Sequence, residues 1–474
     1  MPSHSRSSAG RPNILLFTAD DMDVATPGAF GGPHGLTPTI DSLAADGVAF
    51  ERAHVPVAVC QPSRSALMTG RWPHRNGAMG FEPIADGVPV LTDALHSAGY
   101  LTGILGKVDH LQPVARFGWD LNVPMRQLGM GRAPAAYAAA TREMVERAEE
   151  AGRPWFLMAN AHDPHRPFHG SAHEAERFTA EERSTYPAPS RTVEPGAHEP
   201  PGFLPDLPDV RTEYAQYLAS SRRCDDVLAS VLGAIGEAAC TTVVVFLSDN
   251  GMAFPFAKAN CYLRSTLTPL VIRWPGVTAA GARERDVLVS TLDLYPTLCD
   301  MAGVDGNRAG LPDGDGSSLV PLLRGDAPPV ARDEIVTVFH ETAAKRRLEM
   351  RCVQDRAYGY IWNCWSEDGE EYQAENMEGL TWAALTAAGE RDPELAARAE
   401  QYRFRRPEEL YDLRADPECL TDLADDPAHR ETLTAMRLRI ARWMNDSGDP
   451  LAARYCRLAD QRTHSGTSPP GGDR

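Results

Sequence analysis

No apolar run in the 474 residues reaches the roughly 20 residues that a bilayer span requires. Met1 to Gly10 is rich in Ser, Arg and Gly and lacks the apolar centre of a secretory signal. The nine cysteines are odd in number, scattered, and contain no Cys-x-x-Cys pair, which argues against a disulfide framework and against a zinc site. Positive charge is also short, with 47 Lys and Arg against 65 Asp and Glu and a net charge of −18. A long polyanion such as nucleic acid would be repelled before any local contact formed. An anionic ligand must therefore be small or presented end-on, to a few basic residues in a pocket. These absences predict a soluble, reduced, cytoplasmic protein with no membrane and no nucleic-acid partner.

What is present is an α/β pattern. The length suggests more than one unit. Asn13 to Ala19 is a continuous apolar run, as expected of a strand buried on both faces of a parallel sheet, and it ends in Asp20-Asp21. Leu101 to Leu105 and Trp155 to Asn160 read as further strands, followed by Gly106-Lys107-Val108-Asp109-His110 and by His162-Asp163-Pro164-His165. Thr242 to Leu247 is the strongest strand and closes in Ser248-Asp249-Asn250-Gly251, with Lys258 beyond. Polar groups thus follow strand after strand, at the edge where open α/β sheets bind ligands. The Asp and Asn pairs make a hard, oxygen-rich set suited to Ca²⁺ or Mg²⁺.

Helices are expected over Thr37 to Phe50, Leu91 to Ala98, Arg211 to Ala234, Leu288 to Met301 and Arg430 to Met444. Trp72 to Gly77 is expected as a turn or loop, and the Pro- and Glu-rich stretch 164–210 as a cover over the pocket. Beyond Pro321 the alternation stops, and Ile335 to Phe339, Met350 to Val353 and Tyr358 to Trp365 suggest a small antiparallel sheet. The reading gives a catalytic unit over 11–330, a C-terminal α+β unit over 331–459, and disordered tails at 1–10 and 460–474.

Taken alone, Cys60 in Cys60-Gln61-Pro62-Ser63-Arg64 reads as a small buried hydrophobe before a helix. The stretch resembles the Cys-x-Pro-Ser-Arg signature of type I sulfatases, and Thr69-Gly70-Arg71 belongs to the same pattern. The order Asp-Asp, Cys-x-Pro-Ser-Arg, Gly-Lys-x-x-His, His-x-Pro-His, Ser-Asp-Asn-Gly and Lys is similar to that of this family throughout. Within it the chain looks most like the sulfamidase branch, which acts on N-sulfoglucosamine. His340-Glu341, Met350-Arg351-Cys352-Val353-Gln354 and Glu409-Leu410-Tyr411-Asp412-Leu413 carry that finer likeness. Two features depart from it: Lys107 and His110 stand one residue wider apart, and Lys258 stands where the branch has arginine.

The resemblance implies an alkaline-phosphatase-like α/β/α sandwich. It also implies oxidation of Cys60 to formylglycine by a formylglycine-generating enzyme. Asp20, Asp21, Asp249, Asn250 and the modified Cys60 would hold a divalent metal, Ca²⁺ first and Mg²⁺ as the alternative. One hydroxyl of the formylglycine hydrate would attack sulfur. His165, helped by Lys258, would protonate the leaving group; His110 would act as the later base, and Arg64 and Lys107 would steady the hydrate. His74, Asp163, His340, Glu341 and Arg351 are candidate sugar contacts. The expected substrate is a small sulfated amino sugar, N-sulfated in preference. An O-sulfatase, an aryl sulfatase, a phosphonate or phosphodiester hydrolase, and an unmatured sulfated-ligand binder are the alternatives. The sequence leaves the oligomeric state open, a dimer included.

Overall fold

The computed structural model describes residues 11–304, 313–326 and 332–457. The two tails and the expected boundary at 330/331 lie outside the described residues. Strands are numbered β1 (Asn13–Ala19), β2 (Val48–His54), β3 (Leu101–Leu105), β4 (Leu121–Val123), β5 (Trp155–Asn160), β6 (Thr242–Ser248), β7 (Leu267–Arg273), β8 (Ala282–Glu284), β9 (Val289–Ser290), β10 (Ile335–Glu341), β11 (Arg347–Gln354), β12 (Tyr358–Asn363) and β13 (Glu408–Asp412). The first nine form one sheet in the order β4-β3-β5-β1-β6-β7-β2-β8, with β9 beside β2. From β4 to β6 the neighbours run parallel, and β7 is antiparallel to both β6 and β2.

β1 lies at the centre because its side chains are apolar on both faces. Ile14 and Leu16 enter the core on one side of the sheet, Leu15 and Phe17 the core on the other. Helices cover both faces, among them the packed pair Pro134–Ala151 and Pro208–Ile235. The expected α/β/α sandwich is therefore present, as is a separate antiparallel sheet in the order β10-β11-β12-β13. One face of the small sheet packs on the helix Arg430–Ser447, and the other faces the loop carrying Lys258. Val338 N–H donates to Pro56 O at 2.8 Å, tying the small sheet to the segment that leads into Cys60.

The structure corrects several local expectations. The helix expected to run through Phe50 ends at Ala45, and β2 begins at Val48. Gly47 makes the turn between them, so close to β7 that a Cβ there would lie 2.6 Å from Ile272 O. Trp72 to Gly77 contains a short helix, Pro73–Asn76. Of Leu288 to Met301, only Leu294–Met301 is α-helical. The stretch 164–210 holds two short helices, Ala172–Arg177 and Ala180–Ser184, capped by Ser171 and by a Thr179/Glu182 capping box.

Candidate active site

Register alone gathers the charged groups. Thr18 of β1 stands opposite Asn160 of β5 and Leu247 of β6, so Asp20-Asp21, His162 to His165 and Asp249-Asn250 all emerge at the same C-terminal edge. β3 adds Lys107 one strand further out, since Leu105 stands opposite Ala159. Asp20, Asp21 and Asp249 are buried, as are Lys107, Lys258 and Arg64. Each carboxylate has its own cation. Lys107 pairs with Asp20, Arg64 with Asp249, and Lys258 Nζ lies 2.9 Å from Asp21 Oδ2.

The helix Cys60–Thr69 points its first turn into this cluster. Val59, at its N-cap, supplies no side-chain cap, so the first amide N–H groups are left for an anion. Ser63 Oγ donates to Asp249 O at 2.7 Å, and Arg64 reaches Asn160 Oδ1 at 3.4 Å and Thr18 Oγ1 at 3.3 Å. Asn250 Nδ2 donates to Asp21 Oδ1 at 2.6 Å. Gly251 is required after it, because a Cβ there would meet Arg264 O at 2.0 Å. Asp21 and Lys107 hold left-handed backbone conformations (φ 70° and 51°), as do Phe256 and Ala259 on either side of Lys258. For non-glycine residues this costs energy, and such residues gather at functional sites.

Burial raises the pKa of Asp21 despite Lys258, and pushes Asp249 up to about 7 despite Arg64. Asp20 goes the other way. Burial is again the largest influence, but Lys107, His165 and Arg64 together outweigh it and hold Asp20 well below the usual carboxylate range. Burial and Lys258 hold His165 well below its ordinary value, while burial and Lys107 do the same to His110. Burial is the largest single influence on Lys258 and lowers it, but Asp21 and the other acidic groups around it together outweigh burial and raise it. His165 Nδ1 lies 2.5 Å from Arg166 O, which fixes the tautomer with the proton on Nδ1. Its Nε2 faces Asp21 Oδ2 at 3.8 Å.

Ligand atoms of Asp20, Asp21 and His165 lie within 4.8 Å of one another. Asp20 Oδ1 and Asn250 Oδ1 are buried acceptors with no hydrogen-bond partner among the described residues. Orphaned oxygens beside two further carboxylates are the donor set a hard divalent cation requires. The site residues thus fit such an ion.

The other sequence candidates fall elsewhere. Asp163, expected at the sugar, sits fully buried between Arg132 (3.1 Å) and Arg223 (2.6 Å). Arg132 also donates to His165 O and Pro167 O, so this trio fixes the loop that carries His165. Replacing Arg132 by Ala would strip a buried carboxylate of one partner, with an expected loss of about 3–5 kcal/mol, read from the urea midpoint. Arg351 is buried against Asp449 at 2.7 Å. His74 meets Ser447 O at 3.1 Å. His340 is buried, with neither ring nitrogen hydrogen-bonded among the described residues, and Glu341 lies against Gly80. The contacts of Arg351, His74 and Glu341 lie outside the charged cluster.

Thr18, Asn160, Arg132, Arg223 and Ser63 are contributors that sequence reasoning passed over. One signal pointed to the centre of the site: lysine occurs three times, at 107, 258 and 345, and two of the three are buried in this cluster.

Among the described residues, no helix is long and apolar enough to cross a membrane. The family model described as Sulfatase matches residues 12–304, and the model for the C-terminal part of N-sulphoglucosamine sulphohydrolase matches 253–376. The N-sulphoglucosamine sulphohydrolase of Homo sapiens is 29% identical over 92% of this chain and 91% of its own. A solved protein in complex with its substrate D-glucosamine-2-N,6-O-disulfate shares the fold at a TM-score of 0.68, with 18% identity over 93% of this chain and 99% of its own. The phosphonate monoester hydrolase of Agrobacterium radiobacter also shares it, at a TM-score of 0.65 and 20% identity over 92% and 96%. With the family model matched across the large sheet, the chain belongs to the sulfatase family, whose members hydrolyse sulfate esters and sulfamates.

Proposed function

We propose that the chain is a sulfamidase that releases sulfate from an N-sulfoglucosamine-type amino sugar. The observation that carries the catalytic part is the convergence on the Cys60 helix N-terminus of three carboxylates and their three cations. These charges cancel. A divalent cation would therefore give the site a net positive charge, which an anionic sulfamate or sulfate ester would neutralise. Support for the N-sulfated sugar comes from the 29% identical relative and from the C-terminal match over 253–376.

Cys60 as a thiol is poorly suited to the task. Burial pushes its pKa up to about 12, which leaves about one part in 10⁵ as thiolate at pH 7. Oxidation to formylglycine, by the maturation enzyme the family pattern implies, replaces that inert sulfur with hydrated oxygen. An oxygen at position 60 also completes the hard ligand set of Asp20, Asp21, Asp249 and Asn250, for which Ca²⁺ is the first choice. The bound cation would supply Lewis acidity at the sulfate oxygens. Arg64 and Lys107 would orient the sulfuryl group. Lys258, with its raised pKa, would carry the proton for the leaving nitrogen. His165, held neutral with its proton on Nδ1, would present a bare Nε2, and a cation alongside pushes it further the same way. The geometry therefore favours Lys258 over His165 as the resting acid. His110, neutral and with Nδ1 free of hydrogen bonds among the described residues, suits the later base. In this reading residues 11–330 carry the chemistry, and the C-terminal unit shapes the rim.

The test is sulfate release by protein whose Cys60 conversion has been verified by peptide mass. N-sulfoglucosamine is expected to be cleaved at least tenfold faster than 6-O-sulfated N-acetylglucosamine. Release from the O-sulfated sugar alone would replace the sulfamidase reading with an O-sulfatase.

A further inference from the structure

Building on the sulfamidase reading, we infer that Glu375 selects for an amine leaving group. Its carboxylate takes up the ammonium that N-sulfate cleavage produces, and an alcohol leaving group forms no ion pair with it.

Glu375 opens a short 3-10 turn, Glu375–Met377, that the C-terminal unit lays against Lys258. The turn is pinned there by its neighbours. Asn376 is buried and donates Nδ2 to Lys258 O and, at 2.8 Å, to Tyr402 Oη. Tyr372 Oη donates to Ala259 O at 2.9 Å, on the next residue of the lysine loop. Glu375 itself is half-buried, and its Oε2 is buried with no hydrogen-bond partner among the described residues. Its charge is felt at Lys258, where burial lowers the pKa and Asp21 is the main influence raising it, with Glu375 adding to the rise.

A buried carboxylate oxygen without a donor is costly. The cations of the cluster are already committed: Lys258 to Asp21, Lys107 to Asp20, Arg64 to Asp249. A donor can therefore come from the ligand. In N-sulfoglucosamine cleavage the S–N bond breaks with its electron pair passing to nitrogen, while an S–O bond forms to the hydroxyl oxygen at position 60, whose proton passes to solvent. Nitrogen takes one proton from Lys258 to become a primary amine, and a second from solvent to become an ammonium. Solvent then restores the lysine proton. An O-sulfate needs one proton and leaves as a neutral alcohol. Both products can donate a hydrogen bond to the carboxylate, but only the first becomes a cation, and only the first therefore gains an ion pair with Glu375 as its nitrogen is protonated.

The experiment uses the Cys60-converted, Ca²⁺-loaded enzyme and two variants, Glu375→Gln and Glu375→Asp. Glu375→Gln keeps the size and removes the charge. Its kcat/KM for N-sulfoglucosamine is expected to fall about 10- to 100-fold, the range for losing a hydrogen bond to a charged partner. Calorimetric affinity for glucosamine should fall by a similar factor, while affinity for glucose stays level. Glu375→Asp should keep most of the glucosamine affinity, and an unchanged melting temperature shows that both variants fold. Equal glucosamine affinity in the wild-type protein and Glu375→Gln overturns the inference, even where N-sulfoglucosamine is cleaved. Failure of the wild-type protein to cleave N-sulfoglucosamine overturns the underlying sulfamidase reading instead, and the inference with it.

Discussion

Replacing Cys60 by Ala is expected to lower turnover by at least about 10³-fold, the scale set by loss of a covalent nucleophile in other hydrolases, while leaving the fold and anion binding in place. The substitution is mild structurally. Residue 60 is the first of a ten-residue helix, and alanine is the best helix former. The groups proposed to hold an anion survive the substitution: Arg64, Lys107, Lys258 and the backbone amides at the start of the helix. Inorganic sulfate or uncleaved substrate should therefore still bind within a fewfold of the wild-type affinity. Turnover and peptide mass should be measured together, since wild-type protein bearing an unconverted thiol should be nearly as inactive as the alanine variant. Residual turnover above one tenth in Cys60→Ala would remove Cys60 from the chemistry and return it to the buried-hydrophobe reading.

The large sheet was legible because its central strands are buried on both faces. An element with no solvent-facing side chains leaves a largely apolar run, and β1, β5 and β6 carry one, as does the shorter β3 around Thr102 and Gly103, with ends that match the structure to within a residue. β2 was not legible. Its Val-Ala-Phe start continues the apolar spacing of the helix before it, and what separates the two is the contact of Gly47 with β7, more than 200 residues away in sequence. β13 shares this difficulty, because its partner β12 lies across two intervening helices. The helix Pro134–Ala151 also went unassigned, although its composition favours helix.

At the site, charge emerging at the end of an apolar run was the readable signal, and it marked Asp20, Asp21, Lys107, His165 and Asp249. Residues inside elements were silent. Arg223 lies within a long helix and meets Asp163 sixty residues earlier, a pairing that no local pattern announces. Thr18 and Asn160 are polar positions within apolar strands, and they matter only because register sets them 2.7 Å apart beneath Arg64. The proposed sugar contacts were the weakest reading for the same reason: Arg351 resembles a ligand in a motif, and in the fold it answers Asp449.

Removing the divalent cation is expected to destabilise the protein, and more so above pH 7 than below it. Without the ion, burial holds Asp249 at a pKa of about 7, well above the ordinary carboxylate value near 3.9. Between those two values the folded, metal-free protein therefore binds more protons than the unfolded chain. Its stability is greatest at the acid end of this window and declines as pH rises toward 7. The ion reverses the trend. It must displace the Asp249 proton below pH 7, so its apparent affinity should rise at least about tenfold per pH unit up to that point, with Asp21, also raised by burial, adding to the slope. Asp20, held ionised against burial by Lys107, His165 and Arg64 together, adds no further step in this range. At a hundredfold excess over Kd the ion contributes about 2.7 kcal/mol, and this should appear as a gap in melting temperature between Ca²⁺-loaded and chelated protein that widens from pH 5 to pH 7. A melting temperature at pH 8 that chelator leaves unmoved would show that the three carboxylates need no more than their own lysines and arginine, and the cation would have no place in the site.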